Sequence, residues 1–162
     1  MSNLSGFEIM WNSYPLWDVK RTVQYIFLDS DKTPEHTKNW ANTGIPNTCV
    51  IKICYVLNCT VNPIRPIKLG FKYLTGINGL FILKCTEMNS YLVARYGQPN
   101  ITTGKNDAKQ KLKGRRGIIY FKISGWDDAT GHFDLWNGSR VKRGDYFKHP
   151  GLKNVCLWEV ED

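Results

Sequence analysis

A chain of 162 residues, 42% apolar and 13% aromatic, is long enough for one sizeable core and reads as a single domain over residues 1–162. Its formal charge of +8 favours a polyanionic partner: nucleic acid, an anionic membrane surface or a cell-wall polymer. No run approaches the roughly 18 apolar residues of a membrane span, and MSNLSGFEIMWNSYP lacks the basic and apolar regions of a signal peptide, so any export is expected to use another route.

The opening segment, FEIMWNSYPLWDVKRTVQYIF, is weakly helix-like up to Pro15, which breaks it. Residues 29–44 are polar, contain Pro34 and Gly44, and read as a loop or short irregular helix. In IPNTCVIKICYVLN, the apolar residues Val50, Ile53, Cys54 and Leu57 fall at helical spacing, with Asn47 as N-cap and Cys49 in the first turn. Residues 59–79 carry Pro63, Pro66 and several glycines and suggest a surface excursion. LFILKCTEMNSYLVARYG then reads as one amphipathic helix ended by Gly97 and Pro99.

The stretch TTGKNDAKQKLKGRRG is basic and polar, and reads as a solvated face. GIIYFKISGW has the β-branched and aromatic content of a buried strand. GHFDLWNGSRV predicts a second strand, joined to the first by an Asp-Asp-Ala-Thr-Gly turn in an antiparallel hairpin, and VCLWEV a last one. No repeat or interdomain linker interrupts this order, so the expected class is α+β, with helices first and an antiparallel sheet after them.

Five cysteines, Cys49, Cys54, Cys59, Cys85 and Cys156, form no CxxC pair, which removes support for zinc-ribbon and thioredoxin-type readings. A helix N-terminus lowers a thiol's pKa through its unpaired N–H groups and macrodipole, and the thiolate is the nucleophile. Cys49 has that address. The other four lie in apolar runs or at a helix end, where inert thiols are usual. A nucleophile needs a base. Of His36, His132 and His149, only His132 falls on a rigid element, and on its strand His132, Asp134 and Trp136 share a face, a candidate active-site wall.

The segments FEIMWNSYP, PNTCVIKICYVLN and RRGIIYFKISGWDDATGHFDLWNG, with the later Tyr146–Phe147, together resemble one bacterial family over nearly the whole chain: the fourth family of type VI secretion amidase effectors. The resemblance implies a papain-like fold of the NlpC class, N-terminal helices packed on an antiparallel sheet. It also implies hydrolysis of the γ-D-glutamyl–meso-diaminopimelate bond in peptidoglycan stem peptides. Cys49 matches the family's nucleophile and His132 its base. The family's third residue, an aspartate eleven positions after the histidine and between two disulfide-forming cysteines, corresponds here to Arg143, with Val141 and Asp145 at the cysteine positions. Asp145 is the nearest replacement; Asp134, on the strand face of His132, is the alternative.

On this reading no metal or cofactor is required, and GKNDAKQKLKGRRG lacks the phosphate-cradle spacing. Trp126 and Trp136 are candidate groove walls. The implied partners are the stem peptide, a cognate immunity protein and a secretion apparatus component, with delivery to a target periplasm, or secretion if the source is a eukaryote that acquired such a domain. Two rivals stand beside it: a wall-binding homologue inactivated by Arg143, and a domain that binds nucleic acid through residues 105–116.

Overall fold

The computed structural model describes residues 3–28, 48–125 and 131–162. Helix α1 (Phe7–Ser13) ends at Tyr14, whose extended backbone leads into Pro15. Asp18 caps α2 (Val19–Val23) by accepting the Arg21 N–H, and the chain runs on through a π-helical turn, Gln24–Leu28. Helix α3 (Cys49–Asn58) starts immediately after Thr48, which places Cys49 at its first position. The expected cap, Asn47, lies outside the described residues, as do His36, Trp126 and the turn at 127–130.

Two expectations after α3 change. Residues 59–79 are not all excursion, because β1 (Leu74–Gly76) pairs antiparallel with β2 (Gly79–Phe81). Nor do residues 80–96 form one helix: β2 takes Leu80 and Phe81, and α4 (Cys85–Tyr96) begins only at Cys85. Asn58 explains the early break. Its amide donates to the Leu80 carbonyl at 2.9 Å and its carbonyl accepts the Ile64 N–H at 2.8 Å, so α3 holds the hairpin extended.

The main sheet is antiparallel with the order β3-β6-β4-β5. β4 (Gly117–Ile123) and β5 (Gly131–Trp136) form the expected hairpin pair. β6 (Leu152–Glu159) starts three residues before the predicted VCLWEV and lies between β4 and β3. β3 (Ile101–Gly104) runs into the stretch read as a solvated face, where pairing with β6 makes an edge strand of a short Ile-Thr-Thr run. The short helix α5 (Ala108–Lys111) follows it.

The period of two along the strands divides the apolar residues between two cores. Ile118, Tyr120, Phe133, Leu135 and Trp158 face α1, α3 and α4. Ile119, Phe121, Trp136, Val155 and Leu157 face α5 and the segment carrying Tyr146 and Phe147. A sheet covered on both faces keeps β5 rigid although it is an edge strand, and α3 packs against it. Among the described residues no helix is long and apolar enough to cross a membrane.

Candidate active site

The N-terminus of α3 meets the edge strand β5, so Cys49 reaches both the strand's backbone and its outer side chains. The Phe133 N–H donates to Cys49 Sγ at 3.5 Å. The His132 ring, 9% exposed, lies against the same sulfur, close enough to influence its ionisation. Its Nε2 lies 2.9 Å from Asp134 Oδ2, which leaves Nδ1 as the nitrogen for the sulfur. The thiol, the imidazole and a carboxylate therefore stand in sequence, the arrangement by which a base activates a nucleophile and is itself oriented.

Asp134 is fully buried and well satisfied. Oδ2 also accepts the Gly144 N–H at 2.7 Å and the Arg143 N–H at 3.3 Å, and Oδ1 accepts the Leu135 N–H at 2.8 Å. Those donors exist because the chain after β5 doubles back along the sheet edge, with a Trp136–Val141 bridge and a Lys142 N–H to Leu135 carbonyl bond of 2.9 Å. Asp145 is placed differently. It is exposed, and its carboxylate accepts the Phe147 N–H at 3.1 Å, a local turn contact. Between the two candidate third residues, the strand position puts its carboxylate on the imidazole and the loop position does not.

Charge follows from this geometry. Burial disfavours a thiolate at Cys49, but hydrogen bonds from Cys85 and His132, the imidazolium charge and the Phe133 N–H outweigh it and hold the thiol well below its ordinary range. Burial likewise disfavours the protonated ring of His132. The Asp134 and Cys49 contacts overcome it and raise the ring to about 9. Both shifts favour the thiolate–imidazolium form of the pair, the form suited to nucleophilic attack and to protonation of a leaving group.

Three sequence-based expectations need correction. Cys85 is no bystander: it opens α4, and its sulfur lies 3.8 Å from Cys49 Sγ and 3.4 Å from the Gly131 carbonyl. Cys59 is exposed rather than buried. Trp136 shares the face of His132 but lines no groove; it is 1% exposed, and its indole N–H donates to the Leu112 carbonyl at 2.9 Å. Reading also missed Tyr14 and Lys52, buried beside the cluster; the only signal for Lys52 was a lysine in an otherwise apolar helix turn. Among the described residues no group of metal-ligating side chains gathers.

Comparison with known proteins identifies the family and the fold. Residues 45–158 match the family model described as type VI secretion system (T6SS), amidase effector protein 4. No curated protein matches. Among solved structures, the Tae4–Tai4 effector–immunity complex of Salmonella Typhimurium aligns at 26% identity and a TM-score of 0.82, covering 98% of this chain and 99% of that one. The corresponding complex from Enterobacter cloacae aligns at 25% identity and a TM-score of 0.81, covering 99% and 100%.

Proposed function

The chain belongs to the family of type VI secretion system amidase effectors of group 4, and we propose that it is a cysteine amidase cutting the γ-D-glutamyl–meso-diaminopimelate bond of peptidoglycan stem peptides. One observation carries the reading: His132 bridges Cys49 and the buried carboxylate of Asp134. In the mechanism, the Cys49 thiolate attacks the glutamyl side-chain carbonyl. Backbone N–H groups at the start of α3, that of Cys49 among them, stabilise the oxyanion, aided by the helix dipole. His132 donates its proton to the leaving diaminopimelyl amine, breaking the C–N bond and leaving a thioester. The ring then takes a proton from water, whose oxygen displaces the sulfur. Asp134 acts throughout as the orienting carboxylate, in the place where Arg143 departs from the family pattern.

The same contact supports catalysis over the wall-binding alternative, whose premise was a histidine without a carboxylate. The nucleic-acid alternative loses two of its cations to structure: Arg115 is paired with Glu159, and Arg116 with Glu8 and Asp162. The matched structures hold Tae4 with Tai4, and we extend to this chain a cognate immunity protein that covers the Cys49 cleft, with delivery to a target periplasm.

The test is to incubate the protein and its Cys49→Ala variant with Gram-negative sacculi and resolve the products by chromatography and mass spectrometry. Release of fragments cut between D-glutamate and diaminopimelate, by the parent alone, is expected. Folded protein that leaves sacculi intact would refute the amidase reading.

A further inference from the structure

Beside the Cys49–His132–Asp134 cluster stand two cations for which the chemistry just proposed has no use. Lys52, one turn after Cys49 on α3, is 3% exposed. Its ammonium donates to the Trp17 carbonyl at 2.8 Å and lies 5.9 Å from the centre of the Tyr14 ring. Arg143 is exposed, and its Nη1 donates to the carbonyls of Leu16 and Trp17 at 2.7 and 3.1 Å. One backbone segment thus gathers both cations. Neither forms an ion pair with a carboxylate among the described residues, and the guanidinium keeps Nε and Nη2 for another acceptor.

An ammonium buried without a carboxylate is costly, and evolution seldom leaves one in a core. Asp134, the acid closest to the chemistry, is saturated by His132 and three backbone N–H groups. Asp18 is exposed and occupied as the cap of α2. With a thiolate and an imidazolium cancelling each other, and Asp134 set against one cation, the cluster has room for one more negative charge. A third group points the same way. The Tyr14 hydroxyl is buried with no hydrogen-bond partner among the described residues, and its ring packs beside the Lys52 ammonium.

Building on the amidase reading, we infer that Arg143, Lys52 and Tyr14 form a carboxylate-binding subsite that takes a free carboxylate of the stem peptide next to the scissile amide. Arg143 makes the direct contact from the open side. Tyr14 and Lys52 form the floor, one supplying a hydroxyl donor and the other positive potential in a water-poor setting. The arginine at the position where the family carries an aspartate is then a specificity determinant rather than a lesion. The two residues joined by the bond carry two such carboxylates, the α-carboxylate of the D-glutamyl residue and the distal carboxylate of diaminopimelate, and they share the required chemistry.

The test uses three synthetic stem peptides: one with both carboxylates free, one amidated at the glutamyl α-carboxyl, and one amidated at the distal diaminopimelyl carboxyl. We expect one amidation, which identifies the source, to lower kcat/KM of the parent by about tenfold or more. Arg143→Gln should bring the three substrates to within about threefold of one another, and Arg143→Lys should recover part of the discrimination. Because Arg143 is exposed, these variants are expected to fold, which thermal melts check; Lys52→Met, matched in size, checks the floor by the same ratio. Equal rates for all three peptides with the parent, or discrimination that survives in Arg143→Gln, would overturn the subsite while leaving the amidase reading intact. Cleavage of none of them by folded parent would remove both.

Discussion

At the scale of single residues, the site depends on which carboxylate touches the imidazole. Asp134 Oδ2 stands 2.9 Å from His132 Nε2, whereas the Asp145 carboxylate serves the Phe147 N–H. Asp134→Asn keeps the shape but removes the charge that stabilises the imidazolium and selects its tautomer. We expect kcat to fall by about 10²- to 10⁴-fold, and Asp145→Asn to stay within about twofold of the parent, measured on one stem peptide. The reverse ranking would return the orienting role to the loop. Cys49 and His132 were identifiable from helix position, strand position and resemblance. The choice between the two aspartates was not, because His132 and Asp134 are separated by one residue on a strand and that spacing fits many solvated pairs equally well.

At the scale of elements, the segment that returns along β5 after Trp136 holds the site together. It delivers the Arg143 and Gly144 N–H groups to Asp134, and it has little free volume. A Cβ on Gly144 would lie 2.7 Å from Tyr146 Cε2 and 2.9 Å from His132 Nε2. Gly144→Ala is therefore expected to push the imidazole out of line, lowering kcat by about tenfold or more while shifting Tm by only a few degrees, as read by parallel kinetics and thermal melts. An unchanged kcat would show that the segment yields without moving the ring. Sequence reading located β4, β5 and α3 well, since each has a clear period. It placed Leu80 and Phe81 of β2 in a helix and most of β3 in a polar, solvated stretch, because three- and four-residue strands carry too few residues for any period to register. Their pairing partners decide them: Asn58 and β1 in one case, β6 in the other.

At the scale of the whole molecule, the thiolate–imidazolium pair links stability to pH. His132 binds its proton more tightly folded than unfolded, so its contribution is complete below the ordinary value of 6.5 and is lost as pH rises through about 9. Cys49 is the opposite case. Its contribution is complete above the ordinary thiol value of 9.0 and is lost as pH falls through its lowered folded value. Between those limits the two slopes oppose each other, and the pair adds little net pH dependence. Removing the sulfur leaves Asp134 alone to raise the ring, so the stability of Cys49→Ala relative to the parent should decline as pH rises above 6.5, over a window that closes below 9, at no more than about 1.4 kcal/mol per pH unit. Urea titrations of both proteins between about pH 6 and 9 measure it, and a constant difference would mean that Asp134 alone does not hold the proton on the ring.

By itself the sequence determined the α+β class, the strand hairpin that holds His132, the helix that opens on Cys49 and the family to which the chain belongs. These follow from local periods and from motifs that recur in order, and neither needs knowledge of distant contacts. Tertiary structure alone decided that Asp134 rather than Asp145 meets the ring, that Cys85 lies against the nucleophile and that Trp136 is core. It also brought Lys52, Arg143 and Tyr14, separated by up to most of the chain's length, to one backbone segment near Trp17. Side-chain charge and hydrogen bonding act over a few ångströms, and proximity of that kind comes only from packing helices against the edge of a sheet.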